Sequence, residues 1–184
     1  MREVILYMSM SLDGLVDGDR EHPGTAIPES SELKQWKLDR ISEAGAHLMG
    51  RVTYEQMSSY WPHSNDPYAA PMNEIPKIAF STTLSDAEAS WPVSRVARGE
   101  LAAEIAAIKA EPGPDVIAWG GARFAGALAA ADLIDEYRLF IQPLLLGRGQ
   151  ALFDQLPQSR HLNLVEAIPF SNGVVVHTYR PQHA

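Results

Sequence analysis

In Val116-Ile117-Ala118-Trp119-Gly120-Gly121-Ala122-Arg123-Phe124 a short apolar run ends in two adjacent glycines, and an alanine-rich helical pattern follows at once. A strand that stops at Gly-Gly and restarts as a helix leaves backbone N–H groups bare at the positive end of that helix. With no side chain in the way, a phosphate can approach those amides closely. A tight strand-to-helix turn without a ligand has the same signature, and this stretch alone leaves both readings open.

Just upstream, Leu101, Ile105 and Ile108 recur at helical spacing, which predicts a helix over 100–111 that Pro112-Gly113-Pro114 stops. Downstream, a helix is predicted over 122–131, with Phe124, Leu128 and Ala131 on one face. Two earlier strand ends share this character. A short strand over 46–49 runs into Gly50-Arg51-Val52-Thr53-Tyr54-Glu55, a second helix start, and a strand over 77–80 ends at Ser81-Thr82-Thr83. In an open sheet, ligands bind outside the carboxyl ends of parallel strands. Bare amides, hydroxyl groups and one Arg there suit a ligand with several phosphates, such as a dinucleotide. Taken singly, Arg51 also reads as a solvated surface charge and Ser81-Thr82 as a turn. The three-glycine dinucleotide fingerprint and the phosphate loop ending in Gly-Lys-Ser/Thr are both missing.

The remaining pattern completes one mixed sheet. A first buried strand is predicted over 4–10, then a turn or loop over 11–18 with two Asp-Gly pairs, then a polar loop over 19–29. Ser30 or Ser31 caps a helix running to about residue 44, with Leu33, Trp36 and Ile41 facing inward and Glu32 one turn before Trp36. Residues 61–76, rich in Pro, Asn and Asp, read as a long loop, and 95–97 as a brief strand. Residues 137–142 alternate as a strand, 143–149 form a loop, and 162–168 alternate again. Asn172-Gly173 is a hairpin signal, with a return strand over 174–180. Alternation of strands and helices leading into an antiparallel end predicts an α/β fold.

Composition narrows the function. At 184 residues, 46% hydrophobic and 21% charged, the chain fits one domain, 1–184, of an ordinary globular protein. A net charge of -8 argues against nucleic-acid or anionic-membrane partners, so any anion site must be local. The absence of cysteine excludes disulfides and thiolate chemistry. The six histidines show no metal-ligand spacing, and no nucleophile elbow is present, so neither a metal site nor an acyl-transfer hydrolase is expected. With no signal segment or spanning apolar run, a cytoplasmic location is the expectation.

The sequence resembles the dihydrofolate reductase superfamily, and more closely its branch containing the reductase domain of the riboflavin-pathway deaminase-reductase. The resemblance rests on Ser11-Leu12-Asp13-Gly14, Leu48-Met49-Gly50-Arg51-Val52-Thr53-Tyr54-Glu55, Ile78-Ala79-Phe80-Ser81-Thr82 and Ile117-Ala118-Trp119-Gly120-Gly121. Leu133-Ile134-Asp135-Glu136-Tyr137-Arg138-Leu139, Pro143-Leu144-Leu145-Leu146-Gly147-Arg148-Gly149 and Leu152-Phe153 complete it, in family order over nearly the whole chain.

That resemblance implies a three-layer α/β/α fold with a mostly parallel sheet and an antiparallel C-terminal hairpin. It also implies an NADPH-dependent reductase of a pyrimidine or pterin-like ring, similar to 5-amino-6-(5-phosphoribosylamino)uracil reductase. Carried over, Arg51 would contact the 2′-phosphate or pyrophosphate, and Thr53, beside Gly50, the pyrophosphate. Ser81 and Thr82 would contact the adenosine side, and Gly120, Gly121 and Ala122 the phosphates, with a cis bond often joining the paired glycines. The loop over 12–18 would sit beside the nicotinamide, and Trp36 and Leu146 would line the substrate pocket. Glu32 is one candidate proton donor and Asp13 another. Glu32 also reads as a first-turn acid favoured by the helix dipole, and Asp13 as a turn former before Gly14. A basic group for a substrate phosphate would come from Arg148, Arg123 or Lys37. The C-terminal strands and the 143–149 loop imply a homodimer. A non-catalytic dimeric nucleotide-binding protein and a dihydrofolate reductase proper are the competing readings.

Overall fold

Continuous apolar runs set the middle of the sheet. A computed structural model describes residues 1–17 and 27–182 of the chain. Its elements begin with β1 (Val4–Ser11), β2 (Leu15–Asp17), α1 (Ser31–Ser42), β3 (Ala46–Gly50) and α2 (Arg51–Tyr60). A 3₁₀ turn (Trp61–His63), α3 (Ala69–Glu74), β4 (Lys77–Phe80), β5 (Ser94–Ala97) and α4 (Leu101–Ala110) follow. The chain continues through β6 (Val116–Trp119), α5 (Ala122–Ala130), β7 (Glu136–Gln142), β8 (Gln150–Ala151), β9 (Leu162–Pro169) and β10 (Val175–Pro181).

The main sheet has the order β5-β4-β3-β6-β1-β7-β10-β9. Every pairing from β5 to β7 is parallel, whereas β10 runs antiparallel to both β7 and β9. Helices lie on both faces, giving a mixed, mostly parallel three-layer α/β fold with an antiparallel hairpin. Successive side chains of a strand point to opposite faces, so β1 feeds two cores. Val4, Leu6 and Met8 join Ile105 and Ile108 of α4 and Leu128 of α5. Ile5 and Tyr7 join Leu33 of α1, Tyr54 of α2 and Met72 of α3. Because both faces are covered, β1, β3, β4 and β6 are mostly apolar rather than alternating, with His47 of β3 and Lys77 of β4 buried among them.

Local chemistry ends the elements where the sequence predicts. The Ser30 hydroxyl accepts from the Leu33 N–H and starts α1. At the final hairpin Gly173 holds φ +84°, a conformation that strains a side-chain-bearing residue.

Four local expectations change. The 61–76 stretch is no continuous loop: Met72, 1% exposed, anchors α3 in the core, and the Asn73 side chain bonds the Trp61 carbonyl and the Trp91 indole. Pro71 hid this helix from a compositional reading, yet it sits in the first turn, where its missing N–H is not needed. The turn after β1 contains β2, which pairs with β8 as a separate ribbon; Gly18 and most of the 19–29 loop lie outside the described residues. The buried face of α5 is Ala125, Gly126, Leu128 and Ala129, and Ala131 is exposed beyond its end. Every described peptide bond is trans, that between Gly120 and Gly121 included.

Candidate active site at the carboxyl ends of the strands

β3 and β6 are paired neighbours, with Met49 beside Trp119, so the helices that follow them start side by side. The first N–H groups of a helix have no intrahelical partner. In α1 and α4 this end is closed by Ser30 and Glu100, with Glu32 and Glu104 adding negative charge in the first turn. In α2 and α5 it is open: Gly50 and Gly121 offer no capping side chain, and neither first turn holds an acid. Two uncapped positive ends therefore face one cavity of about 670 Å³, whose lining includes Gly50, Arg51, Thr53, Gly120, Gly121 and Ala122.

The glycines on this rim have different reasons to be there. A Cβ on Gly120 would overlap the Met8 methyl at 1.8 Å, so a side chain there fits only if the flexible end of Met8 turns aside. A Cβ on Gly121 would stand 3.2 Å from Thr53 Oγ1, at the mouth between the two helix starts. Thr53 is buried, whereas Arg51 is exposed and pairs with Glu55 one turn on at 3.2 Å. Ser81 and Thr82 do not line the cavity; the Ser81 hydroxyl accepts from the N–H groups of Thr83 and Leu84 and closes a turn.

A second cavity, of about 510 Å³, lies past the ends of β1 and β7, beside α1. Leu146 and Lys37 line it, and Lys37 Nζ pairs with Glu29 at 2.5 Å. Arg123 belongs to the first cavity, and Arg148 to neither. Trp36 packs edge-on against Phe140 and Phe170, with the Arg40 guanidinium stacked on its ring at 3.8 Å, and is not part of the lining. Val16 lines both cavities.

Neither candidate acid faces these spaces. Glu32 accepts a 2.6 Å bond from the Ser171 hydroxyl across to the final hairpin turn. Asp13 accepts from the N–H groups of Leu146 (3.1 Å) and Gly147 (2.7 Å), clipping the loop after β7 to the turn after β1. Hydrogen bonds from the Ser11 side chain and these two amides hold its carboxyl at about 2, so at neutral pH it has no proton to give.

Val16 lies in the 12–18 loop that the sequence placed at the site, but sequence reasoning missed Met8 and Gln150 in the first cavity and Met10 and Gln142 in the second. The methionines read as ordinary strand core, and β2 and β8 are too short to announce themselves. Gln142 had a faint signal, a polar residue closing an apolar strand directly before Pro143.

A family model, the RibD C-terminal domain, matches residues 2–176. The chain belongs to that family. Among curated proteins it is 27% identical over 183 residues to the uncharacterized protein YyaP of Bacillus subtilis strain 168, covering 97% of this chain and 94% of YyaP. A putative riboflavin biosynthesis protein from Shewanella sp. PV-4 shares the fold with a TM-score of 0.79 at 22% identity, each chain covered completely. A diaminohydroxyphosphoribosylaminopyrimidine deaminase/5-amino-6-(5-phosphoribosylamino)uracil reductase from Thermotoga maritima aligns with a TM-score of 0.70 at 16% identity. That alignment covers 98% of this chain and 57% of the Thermotoga one. The RibD C-terminal domain here is thus a reductase-like fold related to riboflavin-biosynthesis reductases.

Proposed function

We propose that this protein is an NADPH-dependent reductase of a pyrimidine or pterin-like heterocycle, resembling 5-amino-6-(5-phosphoribosylamino)uracil reductase. The observation that carries this reading is the pair of cavities meeting at Val16, one rimmed by two open helix ends, the other largely apolar. The first suits a pyridine dinucleotide: unpaired amides of α2 and α5, with Arg51 and Arg123, offer donors to several phosphates, and Thr53 adds a hydroxyl. When bound, the dihydronicotinamide supplies a hydride to the acceptor ring.

The chain's own residues then hold, orient and shield. The apolar Met10, Leu15, Leu33 and Leu144 exclude water from the second cavity, and Val16 forms the wall at which two ligands would meet. The Asp13 clip fixes the loop carrying Leu146 against that cavity. With Asp13 ionised and Glu32 turned to Ser171, the matching proton comes from water. Titration with NADPH tests the proposal: saturable binding supports it, and no binding at millimolar concentration sinks it.

The engagement of both candidate acids elsewhere favours a second reading, a dimeric nucleotide-binding protein without catalysis. Steady NADPH consumption with any pterin or pyrimidine rejects that alternative. A dihydrofolate reductase proper would require methotrexate-sensitive turnover of dihydrofolate. We also infer a homodimer formed through β9, the sheet edge, where Leu164 and Val165 are more than half exposed. Val174 and Val176, by contrast, are fully buried within the chain. Among the described residues no helix is long and apolar enough to cross a membrane, in keeping with the cytoplasmic location we infer.

A further inference from the structure

Gln142 is the last residue of β7, paired with Ser11 of β1, and it lines the second cavity. Its side-chain Oε1 is buried and has no hydrogen-bond partner among the described residues. An unpaired buried amide oxygen destabilises a fold, and on a wall built from Met10, Leu15, Val16, Leu33 and Leu144 a leucine would fill the space without that penalty. Two neighbouring polar groups, Ser11 and Lys37, are already engaged. Ser11 Oγ accepts from the Leu15 N–H at 3.0 Å, and its one proton is shared between the Leu15 carbonyl at 3.2 Å and the Asp13 carboxylate. Lys37 Nζ is held by Glu29 and sits 4.2 Å from the Phe140 ring centre. Among the described lining residues Glu29 and Lys37 are the charged ones, and they neutralise one another.

We propose that Gln142 is a specificity-determining residue that reads the lactam edge of an uncharged planar ring in the second cavity. A primary carboxamide carries one acceptor and two donors, so it meets an adjacent N–H and C=O with two complementary hydrogen bonds. Uracil and pterin rings both present such an edge. A phosphate on the substrate finds no free cation among the described lining residues, and the Glu29 carboxylate repels it. The assignment rests on the reductase reading only in taking the second cavity as the substrate's. It departs from the phosphorylated substrate in the Thermotoga protein's name.

The test measures binding of lumazine, 3-methyllumazine, uridine and uridine 5′-monophosphate to NADPH-saturated protein by calorimetry. Lumazine should bind wild type roughly tenfold or more tightly than its 3-methyl derivative, which lacks the N3–H that uridine and lumazine share beside the C4 carbonyl. Gln142→Leu should erase that preference, retain NADPH affinity and raise the melting temperature. Gln142→Met serves the same purpose should the leucine variant misfold. Equal binding of the two lumazines to wild type, or unchanged lumazine affinity in both variants, overturns the assignment. So does a failure of lumazine to bind while NADPH binds, a result that leaves the reductase reading intact. A tenfold preference for the nucleotide monophosphate over uridine overturns the uncharged class. If NADPH fails to bind but the protein alone shows the lumazine pattern, the reductase reading falls and the role of Gln142 stands.

Discussion

The Trp119 indole N–H donates to His47 Nδ1 across 3.0 Å, tying β6 to β3 one residue before the Gly120-Gly121 turn. The other ring nitrogen, Nε2, lies 3.3 Å from the Pro71 carbonyl. His47 is fully buried, and burial, aided by the Lys77 charge and opposed by the Pro71 carbonyl, pushes its pKa down to about 4.

This sets a sign for the pH dependence of stability. The folded pKa lies below the unfolded value near 6.5, so the unfolded chain binds more protons in between, and stability falls as pH drops from about 6.5 to 4. The full effect is roughly 3 kcal/mol. Urea unfolding of wild type and His47→Gln across that window checks it: the variant should lose most of the slope, and equal slopes would refute the assignment.

Gly121 and Gly120 should behave differently. Gly121→Val places a side chain toward Thr53 Oγ1, a contact that a small shift relieves, so the protein should fold yet fail to bind NADPH. Gly120→Ala displaces only the flexible end of Met8, which borders the cavity, and should cost about 1 kcal/mol, the low end of overpacking. Thermal melts alongside NADPH titration separate the two, and full NADPH affinity in Gly121→Val would reduce the Gly120-Gly121 pair to a turn.

Arg51 offers a contrast between stability and binding. Its exposed pair with Glu55 is worth at most about 0.5 kcal/mol, so Arg51→Ala should melt close to wild type. Its NADPH affinity should fall about tenfold, equivalent to losing one charge-assisted phosphate contact, with NADH affinity far less affected. Equal losses for both nucleotides would move Arg51 from the 2′-phosphate to the pyrophosphate.

Val165→Lys places a charge on the exposed edge strand β9, a substitution that protects edges from pairing. Light scattering coupled to size exclusion should show wild type as a dimer and the variant as a monomer with an unchanged far-UV spectrum. A wild-type monomer would remove the β9 interface.

The elements that carry the candidate site were legible because they obey short-range rules. Apolar runs ending at Gly50, Ser81 and Gly120 mark strand ends, and the Ser30 cap and the Asn172-Gly173 turn fix their neighbours through local hydrogen bonds or backbone conformation. α3 was hidden because its helix depends on burying Met72 and on the Asn73 side-chain bonds, both made with distant chain. β2 and β8 are two or three residues long and exist only as each other's partner.

By itself, the sequence determined a mostly parallel α/β fold and brought Gly50, Arg51, Thr53, Gly120, Gly121 and Ala122 under suspicion as one site, because periodicity and glycine punctuation are local properties. The tertiary structure decided which residues share a space. Sheet order placed β3 beside β6 and left Ser81 to close its own turn, and the fold turned Asp13 into a loop clip, Glu32 toward Ser171 and Trp36 into packing. Those outcomes depend on contacts between residues up to 139 positions apart, such as Ser171 with Glu32. No local pattern encodes such contacts, since which side chains meet is set by how the whole sheet buries its two faces.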